Sequence, residues 1–150
     1  MQLDDTDKAI LNFIQSDFPL TPQPYAQIGQ RLGLSEGTVL ERVAALKKNG
    51  IIRRIGGNFV PEKLGYVSTL CAARVPEDRI EDFAAAVNAF AGVTHNYIRD
   101  NRLNVWFTFI APSMEMIQKN LDEISRQTGI TEIYNLPATR VFKIKAEFTL

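Results

Sequence analysis

The sequence predicts an α+β protein in two parts: a winged helix-turn-helix over residues 1–60, then a ferredoxin-like β-α-β-β-α-β domain over 61–150. Three observations carry this reading. The first fifty residues show helical periodicity in three short segments, separated by prolines, Gly33 and Asn49-Gly50. Two apolar runs, IIRRI and NFV, then flank Gly56-Gly57 as a hairpin would. From Tyr66 onward, strand-like runs and two amphipathic helices follow in the order strand, helix, strand, strand, helix, strand.

The elements follow from local chemistry. Asp4 can cap a first helix whose apolar face is Ile10, Phe13 and Ile14. Pro19, Pro22 and Pro24 interrupt the chain, and Pro24 suits the first turn of a second helix with Tyr25, Ile28 and Leu32 in register. Gly33 ends it. Ser35 caps a third helix, with Leu34 and Val39 placed for a hydrophobic staple and Val39, Val43 and Leu46 as its buried stripe. In the second part, 66–75 reads as a strand and 77–90 as a helix with Ile80, Phe83, Val87 and Phe90 on one face. Residues 93–99 and 103–110 read as two strands around a polar turn. Ser113 opens a helix that Gly129 stops, and 139–148 reads as the last strand, with Phe142, Ile144, Ala146 and Phe148 alternating.

Composition narrows the function. Seventeen basic and seventeen acidic residues cancel, so the chain as a whole is no obvious polyanion binder. One cysteine, Cys71, excludes an internal disulfide and a multi-cysteine zinc site, and fits a reducing compartment. The N-terminus MQLDDTDKAI lacks the basic start of a signal peptide, and no apolar run approaches the roughly 20 residues that span a membrane. The expectation is a soluble cytoplasmic protein without a membrane partner.

The stretch YAQIGQRLGLSEGTVLERVAALKKNGIIRR resembles the DNA-binding domain of Lrp/AsnC regulators, whose sensing domain has the β-α-β-β-α-β plan read above. Two features weigh against DNA as a partner. Residues 1–60 hold seven Lys/Arg against six Asp/Glu, a poor match to a phosphate backbone. The start of the third helix presents Glu36, Leu40 and Glu41, where a recognition helix reads base edges. The turn IRDNRLNV (98–105) also has no glycine, and Asn104 replaces the aspartate with which, beside that glycine, those regulators hold an amino acid; the turn offers arginines instead.

The segment THNYIRDNRLNVWFTF holds the only histidine and the only tryptophan. Strict alternation would put Val93, His95, Tyr97 and Arg99 on one face of its first strand. His95-Asn96-Tyr97, Asn104-Val105-Trp106-Phe107-Thr108 and Arg53-Arg54-Ile55-Gly56 together resemble the siroheme decarboxylases and their relatives in haem d1 synthesis, over about residues 3–145. That resemblance implies loss of carbon dioxide from two ring acetates of siroheme, giving didecarboxysiroheme. No cofactor is implied beyond the iron tetrapyrrole itself. It further implies His95 and Tyr97 as candidate proton donors, with His95 alternatively an axial ligand to the substrate iron. Arg53, Arg54, Arg99 and Arg102 become candidate carboxylate binders, and Asn58, Asn96 and Asn104 polar contacts. Trp106, Phe59 and Val93 would help form an apolar slot for the macrocycle. Many relatives carry a second histidine just after the wing, where this chain has NFVPEKLGY. The resemblance therefore implies a heterodimer with a homologous subunit. The alternatives are a DNA-binding regulator and a tetrapyrrole-binding subunit without catalysis.

Overall fold

In a computed structural model, residues 2–143 and 148–150 are described, and they fall into two compact units: 2–57 with 143 and 148–150, and 58–142.

The first unit holds helices α1 (Asp5–Ile14), α2 (Pro24–Leu32) and α3 (Glu36–Lys48). Each start has a chemical cause. Asp4 and Asp7 form a reciprocal capping box on α1, Pro24 occupies the first turn of α2, and the Ser35 hydroxyl accepts from the Thr38 amide of α3. Gly33 closes α2 at φ 69°, a conformation glycine adopts without penalty. Ile10, Ile28, Val39, Val43, Leu46 and Ile52 make the core. Arg42 of α3 reaches back to α1, pairing with Asp4 and, at 3.3 Å, with the buried Asp7. The backbone amide of Asp7 and the Arg42 guanidinium hold the Asp4 carboxyl below its ordinary range.

The expected wing differs. Residues 51–60 contain no strand. The amides of Ile51 and Ile52 instead bond the Leu46 carbonyl, finishing α3, and only Ile52 of this segment is buried. A hairpin needs a face to bury, and Arg53, Arg54, Gly56, Gly57 and Asn58 supply none.

The second unit is an antiparallel sheet of β1 (Val67–Ala73), β2 (Val93–Ile98), β3 (Val105–Ala111) and β4 (Ile133–Leu136), in the order β2-β3-β1-β4. Helices α4 (Ile80–Asn88) and α5 (Met114–Thr128) cover one face. A single 3₁₀ turn, Glu77–Arg79, precedes α4. Phe83 of α4, Ile117, Leu121 and Ile124 of α5, and Cys71, Val105, Phe107 and Phe109 of the sheet form the core. Phe107 stands edge-on to both Phe83 and Phe109, with centroids 6.3 and 6.4 Å apart. Each such buried ring contributes about 1.5–3 kcal/mol through its area alone. Burial also pushes the Cys71 thiol up to about 12, so it acts as a small apolar filler, as its place on an apolar strand suggested.

The last strand of the sheet lies earlier than expected. Residues 139–143 and 148–150 are irregular, and 144–147, in the middle of the expected strand at 139–148, lie outside the described residues. The fourth strand is IYNL, 133–136. Its inward polar residue hid it. Asn135 faces the helices, where its amide oxygen accepts from the Thr69 hydroxyl at 2.6 Å and its nitrogen meets the Met114 sulfur. Pro137 then ends the pairing.

Candidate functional site

The candidate site is the sheet face that carries no helix of this unit. On β3, the inward residues Val105, Phe107, Phe109 and Ala111 are buried, so Trp106, Thr108 and Ile110 point the other way. Register carries this outward set across the sheet. One row is Tyr97, Trp106, Ala72 and Tyr134, and the next is His95, Thr108, Leu70 and Leu136. Tyr97, Leu70, Tyr134 and Leu136 are each between 36% and 43% exposed, a contiguous apolar and aromatic surface.

His95 reaches this face through a local irregularity. Val93 pairs with Phe109 but His95 pairs with Thr108, so a bulge at Thr94 shifts the register by one. Strict alternation placed Val93 beside His95, and the bulge corrects that. Val93 turns inward against the core, while His95 and Tyr97 share the outer face. Val93 therefore does not line an outward slot. The same bulge brings the Thr94 hydroxyl 3.0 Å from His95 Nδ1, which leaves Nε2 as the outward ring nitrogen.

Arg99 continues the motif beyond β2. Its amide donates to the Asn104 carbonyl at 2.7 Å, extending the β2–β3 pairing. Its guanidinium lies 5.5 Å from the Tyr97 ring centre and 5.3 Å from that of Trp106, held between two aromatic faces. It forms no ion pair among the described residues. Trp106 is itself fixed by a 2.6 Å hydrogen bond from Nε1 to the Leu103 carbonyl. His95, Tyr97, Arg99 and Trp106 are thus brought together. The His95 and Tyr97 ring centres are 6.3 Å apart.

Other predicted residues are placed differently. Asn96 faces the helices, and its amide donates to Asn88 of α4 at 3.0 Å. Asn104 clips the β2–β3 turn to the end of β1, accepting from the Val75 amide and donating to its carbonyl, at 2.9 and 2.8 Å. Both amides are committed to the scaffold, because each polar group beside a packed layer needs a partner. Arg102 pairs with Glu132. Arg53 and Arg54 in the first unit, and Asn58 and Phe59 at the start of the second, are exposed. The sequence reading missed Thr94, Tyr134, Glu132 and Arg74. The first needed the bulge, and the other three needed the unforeseen fourth strand.

Comparison with known proteins gives the family. Residues 63–143 match the AsnC-like ligand binding domain family, and residues 7–53 match the siroheme decarboxylase NirDL-like HTH domain. The chain is 55% identical to the siroheme decarboxylase alpha subunit of Desulfovibrio desulfuricans, over 99% of this chain and 85% of that one. The chain belongs to the siroheme decarboxylase family. A second alpha subunit, from Nitratidesulfovibrio vulgaris, is 50% identical over 99% of this chain and 84% of its own. Among solved structures, siroheme decarboxylase NirDL superposes with a TM-score of 0.70 at 31% identity, covering 97% of this chain. This chain spans 48% of that one. The same protein has been solved in co-complex with an iron-uroporphyrin III analogue, to which this chain fits with a TM-score of 0.69. E. coli AsnC matches with a TM-score of 0.78 at 19% identity, which shows a shared fold. No helix among the described residues is long and apolar enough to cross a membrane.

Proposed function

We propose that this chain is a subunit of a siroheme decarboxylase that removes carbon dioxide from two ring acetates of siroheme, and that its open sheet face helps form the site. The observation that carries this is the convergence of His95, Tyr97, Arg99 and Trp106 on one outward surface, within a chain of this family.

The chemistry suits the surface. Siroheme is a flat iron tetrapyrrole ringed with carboxylates. Outward aromatic and apolar side chains offer a platform for its plane, and a guanidinium without an anionic partner offers two parallel hydrogen bonds to a carboxylate. In each decarboxylation the bond between the carboxylate carbon and the ring methylene breaks. Its electron pair stays on the methylene carbon, which then takes one proton to become a methyl group. No oxidant or reductant is consumed. Burial of the reacting carboxylate under the macrocycle would favour its departure as neutral carbon dioxide. His95 or Tyr97 supplies the proton, within hydrogen-bonding reach of a substrate on this face. With Nδ1 donating to Thr94, His95 would instead present a lone pair at Nε2 to the substrate iron.

Arg53, Arg54 and Asn58 are assigned to substrate on their motif alone. Asn96 and Asn104 act through the scaffold they hold. The second histidine that this chain lacks after residue 57 comes from a homologous partner subunit in this proposal. The proposed compartment is the cytoplasm. DNA is not the proposed partner, since Arg42 is neutralised by Asp4 and Asp7 and the exposed start of α3 carries Glu36, Leu40 and Glu41.

Anaerobic incubation with siroheme, alone and with the co-expressed partner, tests this by mass spectrometry. A mass loss of two carbon dioxides is expected with the partner present. Bound but unchanged siroheme in both preparations would leave a binding subunit without catalysis.

A further inference from the structure

The outward face ends in a charged row that the family motifs do not include. The Arg74 amide donates to the Glu132 carbonyl at 3.0 Å, carrying the β1–β4 pairing one step beyond the strands. Arg74 and Glu132 thereby continue the row next to Ala72 and Tyr134. Arg102 reaches the same carboxylate from the β2–β3 turn, and the Tyr134 hydroxyl donates to it at 3.3 Å. Arg74, Arg102 and Glu132 border a hollow of about 530 Å³ with Val75, Asn104 and Thr131.

Charge and geometry set this cluster apart from an ordinary surface ion pair. Two guanidiniums meet one carboxylate, so one positive charge is left over. The two contacts are unequal. Arg102 is held tightly, with Tyr134 and Glu132 raising its already high affinity for a proton. Arg74 touches Glu132 only at 3.8 Å and is 62% exposed, so most of its donors are free. Arg99 stands on the neighbouring strands of the same end, beyond the row of Tyr97, Trp106 and Tyr134. A plane lying on those rings would meet guanidiniums along one whole edge of the sheet.

We propose that Arg74 and Arg102 form a second carboxylate-recognition point for the tetrapyrrole, set across the sheet from Arg99, with Glu132 as the positioning residue that aims both. This rests on the proposed function, because the ligand chemistry is that of a multiply carboxylated macrocycle. Glu132 keeps the two forks splayed along the edge. The incoming carboxylate binds Arg74 directly and shares Arg102 with Glu132. Arginine is required, since a lysine has no planar fork.

Equilibrium absorbance titration of the chain with its partner tests this, using siroheme and iron uroporphyrin as anaerobic probes. Arg74→Gln is expected to weaken both about tenfold, in line with loss of one charge-assisted pair. Arg74→Lys should recover less than half of that loss on a logarithmic scale. Glu132→Gln should leave affinity unchanged or tighter while lowering the decarboxylation rate, because charge is gained and aim is lost. Thermal melts of each variant within a few degrees of the parent exclude misfolding. Parent protein that binds and turns over siroheme, with Arg74→Gln and Arg102→Gln within twofold of it, would overturn the second recognition point and leave the function standing. Parent protein that binds neither probe would overturn both.

Discussion

Thr94 shows how much a single residue decides. Without the bulge, His95 and Val93 would share a face, and the core would claim one while the site claimed the other. The extra residue resolves the conflict by turning Val93 inward and His95 outward. Its hydroxyl then engages Nδ1, so the same residue aims the ring. His95→Ala is expected to cut siroheme turnover about 10²–10⁴-fold, the usual range for a lost acid or base. Loss of a low-spin iron spectrum with it would mark His95 as a ligand, and an unchanged spectrum would mark it as the proton donor. Thr94→Val, nearly isosteric, should lower turnover about tenfold, near the worth of one hydrogen bond, with Thr94→Ser restoring it. An unaltered rate in Thr94→Val would remove the hydroxyl from the account. The grouping of His95, Tyr97, Arg99 and Trp106 as candidates was legible in the sequence because a strand that only fills a core is not this polar. Thr94 was not, because a bulge leaves no mark in the alternation of apolar residues.

At the scale of elements, the site depends on how closely β2 enters the sheet. The loop from α4 passes through Gly92, whose carbonyl accepts from the Ile110 amide at 2.9 Å. A Cβ at this position would stand 2.2 Å from the Ile110 carbonyl oxygen and 3.1 Å from the Phe109 ring. Gly92→Ala should therefore displace the start of β2 and destabilise the protein by about 2–4 kcal/mol, read as a drop in melting temperature. A melting temperature within 1 or 2 °C of the parent, roughly the noise of small surface changes, would show that β2 accommodates the methyl group. The helices were legible because each has a cap, a stripe and a stop. The wing and the last strand were not. IIRRI and NFV look like paired strands, but only Ile52 finds a core. IYNL looks like a loop, but Asn135 finds Thr69 and Met114 inside. In both cases tertiary partners decided what local pattern left open.

For the whole molecule, a net charge of zero concealed a local surplus. Arg74 and Arg102 pair with Glu132, and Arg99 stands at the same end of the outward sheet face over Tyr97 and Trp106. Composition could exclude a polyanion binder in bulk but not a patch that recognises a small polyanion. E. coli AsnC shares this fold at 19% identity, so the fold alone does not set the function, and the proposal assigns it to the side chains of one face.

The single tryptophan makes the central claim measurable. Trp106 lies in the middle of the outward face, and its Nε1 proton is fixed on the Leu103 carbonyl, so it should give one sharp indole resonance. The decisive experiment is an NMR titration of labelled chain, with its partner unlabelled, using paramagnetic iron uroporphyrin and a diamagnetic metal analogue as control. If the tetrapyrrole lies on this face, the indole signal is broadened away by the iron complex and only shifted by the control. An iron complex that binds by absorbance while the Trp106 signal stays sharp and unmoved would contradict the placement of the site.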